Sequence, residues 1–217
     1  MRAPLGRTRE SLGRDVLACY ADAPLGARAH VHVRWATCPF RAVVAQLPAG
    51  GRVLEIGCGH GLFSLTAALD GAGRRAVRGI DVDGAKISHG RRAAARARER
   101  GVDCSLEVAP PGVLPDGPWD AIAIVDVLYL LEAAAQRLVV AQAAASLAPG
   151  GLLLIKEVDG APAWKFGWNV LQETLAVRVL GITAGSSMTF LGAAGLGAAV
   201  EDAGLSARHR PLHRGYP

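Results

Sequence analysis

The stretch Val53–Ser64, VLEIGCGHGLFS, constrains the fold of this chain more than any other. An extended apolar run ending in Glu55 and Ile56 leads into glycines at 57, 59 and 61, and Leu62, Leu65 and Leu69 then recur at helical spacing. This is a strand turning sharply into a helix. Glycine permits the positive φ angles of such a turn and lets a ligand approach the bare backbone. The helix start beyond it offers N–H groups and partial positive charge to an anionic group. A dinucleotide site carries G-x-G-x-x-G at this place, with pyrophosphate on the helix end. Here the spacing is G-x-G-x-G, and Glu55 stands two residues before the first glycine. A carboxylate there repels pyrophosphate and attracts a ligand bearing an ammonium group.

The same alternation continues along the chain. Strands are expected at Arg52–Ile56, at RAVRGID ending on Asp81, at CSLEVA, at WDAIAIVD ending on Asp126, and at LLLIKEVD. Between them lie an alanine- and arginine-rich helix closing near Gly101 and a helix through AAAQRLVVAQAAASLA. Strands that alternate with helices imply an α/β doubly wound, mostly parallel sheet covered on both faces. Right-handed crossovers place the C-terminal ends of such strands on one rim, where ligands bind. The first fifty residues read as helical, with Leu12, Val16 and Tyr20 on one face and a short helix in FRAVVAQL. A further helix is expected near MTFLGAAGLGAAVEDAG and a sixth strand at LSARHR.

Asp81 lies 20 residues beyond Gly61, at the end of the second strand, where a carboxylate accepts hydrogen bonds from ribose hydroxyls. An amino-acid moiety at the first turn and a ribose at the second describe S-adenosylmethionine. VLEIGCGHG, GIDVD, WDAIAIVDVLYLL and LAPGGLLLIKEVD, in this order, resemble the successive motifs of class I S-adenosylmethionine-dependent methyltransferases over about Arg52–Asp159.

The resemblance implies a Rossmann-like fold. It places Glu55, Gly57 and Gly59 against the methionine part of the cofactor, within a turn completed by Cys58 and Gly61. Asp81 would hold the ribose, Val82 would lie against the adenine, and Asp126 and Val127 would line the methyl-transfer site. Two departures stand out. Many relatives bind the adenine amino group with an acidic residue after the third strand, where this chain has Ala109 and Pro110. The family sheet also closes with an antiparallel hairpin, and this sequence stops at HRGYP, so the final antiparallel strand is expected to be missing or truncated.

One domain is expected over residues 1–217. Residues 1–50 would be an N-terminal helical cover, 51–159 the cofactor core, 160–187 an acceptor-side insertion, and 188–217 a closing helix and strand. The composition, 51% hydrophobic and 20% charged, is that of a globular chain. With no signal-like N-terminus and no unbroken apolar span, a soluble, cytoplasmic protein is expected. Cys19, Cys38, Cys58 and Cys104 lack metal-ligand spacing and read as free thiols; no metal is expected.

The net charge of +5 is almost wholly arginine, densest in RRAAARARER. Arg92, Arg96 and Arg100 share one helix face, but the run lacks the aromatics that stack on bases, so a nucleic-acid partner is disfavoured.

Methyl transfer from a sulfonium is an in-line displacement that proximity alone can accelerate strongly. Tyr129 and Glu157, near the rim, could orient or deprotonate an acceptor or serve a structural role. His60 reads as a loop residue near the cofactor, and His30 and His32 would reach the site only under the N-terminal cover. Trp164, Phe166, Trp168, Leu171 and Leu175 form an apolar segment. It points to a small, apolar or lipid-like acceptor methylated on oxygen, or else to core or a homodimer interface. A nicotinamide oxidoreductase is disfavoured by the glycine spacing and by Glu55. A non-catalytic cofactor-binding module and an RNA methyltransferase remain alternatives.

Overall fold

The computed structural model describes residues 9–157 and 189–212. Three helices come first: α1 (Arg9–Ala18), α2 (Leu25–Thr37) and α3 (Phe40–Val44). The alternating core follows as β1 (Gly51–Ile56), α4 (Leu62–Asp70), β2 (Arg75–Asp81), α5 (Gly84–Arg98), β3 (Asp103–Val108) and β4 (Trp119–Val125). A 3-10 turn at Leu128–Leu130, α6 (Ala133–Ala145), β5 (Leu147–Lys156) and α7 (Gly192–Asp202) complete the described elements.

The five strands form one sheet in the order β3-β2-β1-β4-β5, and every neighbouring pair is parallel. This is the expected Rossmann-like architecture. The strand order reverses between β1 and β4, and in open α/β sheets the ligand crevice opens at that switch, beyond the strand C-termini.

The period-2 pattern sorts side chains onto two faces. Val53, Val77, Cys104, Ala121, Ala123 and Val125 face a core shared with α1 to α5. Leu54, Ile80, Ile122 and Ile124 face the other, with Val140 and Ala143 of α6 and Ala199 of α7. Helix α4 is apolar on nearly every position from Leu62 to Leu69, and all of them are buried. It is wedged between the sheet and the N-terminal helices, and burying each of its large apolar side chains contributes about 2 kcal/mol. Asp83, two residues after β2, caps α5 by accepting from the N–H groups of Ala85 and Lys86.

Two expectations are corrected. Residues 205–210, read as a sixth strand, form no strand among the described residues, and Leu205 N donates instead to the Val200 carbonyl of α7, at 3.2 Å. Leu205 is the only large apolar side chain of that run and it carries four polar ones, too little to bury against a sheet edge. Strand β5 begins at Leu147, before the Pro-Gly-Gly turn. Leu147 pairs with Trp119 and Leu152 with Ala121, so the turn is a bulge within the strand. The four cysteines are buried free thiols, as expected.

Candidate active site

At the turn after β1, Gly57, Gly59 and Gly61 have φ of 75°, 53° and 76°. Space as well as backbone angle requires glycine at two of them. A Cβ on Gly57 would overlap the Val127 side chain, and one on Gly61 would overlap Leu106. The turn is pinned to β2, because Gly57 N and Cys58 N both donate to the Ile80 carbonyl, at 2.8 and 2.9 Å.

Glu55 is buried, and its Oε2 accepts from Ser64 N at 2.9 Å and from Ser64 Oγ. Gly61 occupies the N-cap position of α4 without a side chain, so Glu55 supplies the capping oxygen from the preceding strand. Burial pushes its pKa up to about 8, against the pull of the Ser64 hydrogen bonds. The folded protein therefore holds this proton more tightly than the unfolded chain does. Its contribution favours folding below the ordinary carboxylate pKa and is lost as pH rises through about 8. Glu55→Gln is expected to flatten the fall in melting temperature of the wild type between about pH 5 and pH 8; an unchanged slope would count against this origin.

Asp81 stands at the end of β2. Its Oδ2 accepts from Gly59 N at 2.7 Å and its Oδ1 from Asp83 N at 2.8 Å. A carboxylate has about four acceptor positions, so each oxygen keeps capacity for a hydroxyl donor. Beside it Val82 and Val108 are 63% and 50% exposed, two bare apolar side chains at the ends of neighbouring strands. Ala109 N donates to the Asp81 carbonyl at 3.0 Å, so the position lacking an acidic side chain serves to close the β2–β3 rim.

Asp126, after β4, has φ of 57° and a buried side chain. Lys156 Nζ reaches its Oδ1 at 2.6 Å and Arg34 of α2 reaches its Oδ2 at 2.8 Å. Cys38 Sγ also donates to Oδ2, at 3.8 Å. Burial opposes ionisation here, but Lys156 and Arg34 outweigh it and hold the pKa below the usual carboxylate range. Asp126 thus ties the N-terminal helices to the rim of the sheet. Glu157 follows β5, and its Oε1 accepts from Val127 N at 3.0 Å and Leu128 N at 2.8 Å. Its Oε2 is buried without a hydrogen-bond partner. Tyr129 is buried and stacks on Phe190, with centroids 5.5 Å apart and planes within 3°.

A column of histidines backs the glycine turn. His60 lies between His30 of α2 and His89 of α5, with centroid distances of 5.0 and 5.6 Å. Burial, with the neighbouring histidines and Lys86 adding to it, lowers the His60 pKa to about 3. Burial and Arg34 lower that of His30 to about 4. Both rings are neutral packing groups at ordinary pH, and Tyr20 Oη donates to the His60 carbonyl at 2.8 Å. His32 is exposed. No group of acidic, histidine or cysteine side chains among the described residues could hold a metal ion.

Residues 28–209 match the family model described as a methyltransferase domain. The chain belongs to this family. With the glycine turn and the strand-end carboxylate in place, it is a class I S-adenosylmethionine-dependent methyltransferase. The methyltransferase is similar in fold to magnesium protoporphyrin IX methyltransferase of Synechocystis PCC 6803, solved with bound S-adenosylhomocysteine. Identity is 22%, the TM-score is 0.62, and the match covers 95% of this chain and 91% of that one. An O-methyltransferase family protein of Burkholderia thailandensis gives a TM-score of 0.65 at 20% identity, over 97% of this chain and 61% of that one. A Haloferax volcanii putative methyltransferase, in complex with its Trm112 activator, gives 0.62 at 21% identity, over 89% and 77%. No curated protein matches.

In the methyltransferase the turn Gly57–Gly61, Asp81, Val82, Asp126, Val127, Tyr129 and Glu157 all gather along one rim. Trp164 and Trp168, with Phe166, Leu171 and Leu175, lie outside the described residues. Sequence reasoning did not single out Arg34, Lys156, Ser64, Tyr20 or His89. Arg34 and Lys156 each occur in an ordinary apolar-basic context, and only the fold brings them to Asp126. Ser64 was legible in principle as the third residue of a helix whose cap position is glycine. The arginine stripe of α5 is engaged in part: Arg96 pairs with Asp22, and Arg100 with Asp15 at 2.9 Å. No helix among the described residues is long and apolar enough to cross a membrane.

Proposed function

We propose that the methyltransferase methylates a hydroxyl oxygen of a small, largely apolar molecule, with the cofactor held across the β1–β4 switch. The observation that carries this reading is the rim itself. A glycine turn closed against Val127 adjoins a carboxylate with spare acceptor capacity and two exposed valines, and those residues fit the three parts of S-adenosylmethionine. Gly57 to Gly61 would pass beside the methionine part, with no side chain between backbone and ligand. Asp81 would accept from the ribose hydroxyls, and Val82 and Val108 would lie against the adenine ring. Glu55 acts from behind, by capping α4 and so fixing the turn. Asp126 fixes the far wall by holding Arg34 and Lys156.

When bound, S-adenosylmethionine supplies an electrophilic methyl group already activated by its sulfonium. The chain's task is then to hold the acceptor oxygen in line with the methyl–sulfur bond and to keep water out. Leu128 beside Val127 is apolar and Asp126 is paired with Lys156 and Arg34, which suits an uncharged acceptor. Resemblance to an O-methyltransferase family protein agrees with oxygen as the methylated atom.

The test is binding first. S-adenosylhomocysteine should raise the melting temperature, and NADH should not; at about 100 times the dissociation constant the stabilisation is about 2.7 kcal/mol. Asp81→Asn should weaken S-adenosylhomocysteine binding by about 10- to 100-fold, as loss of a charge-assisted hydrogen bond predicts. Unchanged affinity in that variant would remove Asp81 from the site. A screen of hydroxyl compounds by methyl transfer then tests the acceptor class, and activity confined to nitrogen acceptors or RNA would overturn it.

A further inference from the structure

We propose that Glu157 is the general base of the transfer and takes the proton of the acceptor hydroxyl, with a phenol as the probe. The proposal rests on the reading of the rim as the site of methyl transfer. Two of the rim carboxylates, Asp126 and Glu157, stand on either side of Val127, and they differ in what they have left to offer. Asp126 is paired on both oxygens: Lys156 holds one, and Arg34 with Cys38 the other. Glu157 is divided. Its Oε1 is a strut that receives the N–H groups of Val127 and Leu128, and its Oε2 is buried and receives nothing. A buried carboxylate oxygen without a donor is costly and uncommon in folded proteins.

Its place in the fold is specific. The N–H that Oε1 holds belongs to Val127, the residue whose side chain closes over Gly57. Glu157 is therefore one residue removed from the glycine turn, at the end of β5, and it holds the backbone of both residues that follow Asp126. Among the described residues the charged groups that face it are Asp126 after β4 and Lys156 on its own strand, with Arg34 of α2 bound to Asp126. Burial, and then the Asp126 charge, push its pKa up to about 7, against the two backbone N–H groups and Lys156. Two neighbouring carboxylates whose environments drive their pKa values apart are the usual sign of divided roles. A base of that strength shares a proton well with a phenol or enol and poorly with an aliphatic alcohol.

The step balances as follows. The acceptor oxygen forms a bond to the methyl carbon, and the methyl–sulfur bond breaks with its electron pair left on sulfur. The hydroxyl proton passes to Glu157 Oε2 and leaves to solvent after the product departs.

The experiment uses the full chain saturated with S-adenosylhomocysteine and 4-nitrophenol as probe, whose absorption band reports loss of its proton. For the wild type, affinity should rise between about pH 5 and pH 7 as Glu157 ionises, then fall as the free phenol ionises. Glu157→Gln keeps a carbonyl oxygen for the strut and replaces only the second oxygen. It should leave S-adenosylhomocysteine affinity unchanged, remove Glu157's share of the fall in melting temperature as pH rises toward about 7, weaken the phenol about tenfold and remove the acid-side rise. Single-turnover transfer to the same phenol should fall about a hundredfold or more.

A wild-type complex that does not bind the phenol, or a Gln variant with wild-type affinity and pH profile, overturns the proposal. Should the variant not fold, the pH profile of the wild type decides alone. Failure of S-adenosylhomocysteine to bind the wild type would sink the cofactor site itself, a distinguishable result.

Discussion

Asp126→Asn is expected to lower the stability of the methyltransferase by about 3–5 kcal/mol at neutral pH, the usual cost of removing one member of a buried ion group. Asparagine matches the shape of aspartate and tolerates the left-handed backbone that position adopts, with φ of 57°. The substitution therefore isolates the charge. It leaves Arg34 and Lys156 facing one another with a neutral amide between them, although their side chains are only 23% and 12% exposed. Because the Asp126 pKa is held low in the folded state, its contribution is present above the ordinary carboxylate pKa of about 3.9 and is lost as pH falls through the folded value. Urea unfolding at neutral pH should show the full difference, and the two proteins should converge in acid. Equal stability at neutral pH would mean that the triad does not tie α2 to the sheet.

Gly61→Ala is expected to cost about 2–4 kcal/mol, the sum of left-handed strain for an L-residue and overlap in a packed site. The methyl group would meet the Leu106 side chain at the start of α4, where both partners are fixed by the sheet. Gly59→Ala is the internal control. Its φ is also positive, at 53°, but the nearest atom to an added Cβ is Lys86 Cδ at 3.8 Å. That variant should lose only the strain, about 1–2 kcal/mol. Thermal unfolding of both without ligand separates the two costs. Similar melting temperatures for the pair would show that packing against Leu106 is not what demands glycine at 61.

The two experiments probe opposite ends of one construction. The glycine turn is set locally, by backbone angle and by the hydrogen bonds that Gly57 and Cys58 make to Ile80. The wall facing it is set by Asp126, Lys156 and Glu157 at the ends of β4 and β5, and by Arg34 arriving from the N-terminal helices. Turn and wall meet where β1 and β4 are neighbours whose connections leave to opposite faces of the sheet, the place at which open α/β sheets bind ligands.

The strand–turn–helix at Val53–Ser64, the alternation of strands and helices, and the rim carboxylate Asp81 were legible from sequence alone. Each is a short-range signal: glycines where positive φ is required, periods of 2 and 3.6, and an acidic residue at a strand end. The run 205–210 misled because its alternation lacks the apolar area a strand must bury. The beginning of β5 was misplaced because Pro149 and Gly150 signal a turn whether it lies before a strand or inside one as a bulge.

What sequence could not supply is which side chains share a charge. Arg34 and Asp126 are 92 residues apart and Val127 and Glu157 are 30 apart, and no local pattern relates them. Glu55 shows the same limit within one motif. Its presence was plain, but its partner is Ser64 of the following helix, nine residues on, so that it builds the site from behind. Backbone conformation follows from near neighbours and is written in the order of the residues. The pairing of buried polar groups follows from the packing of the sheet and its helices, which alone brings a helix from the first forty residues onto the end of the fourth strand.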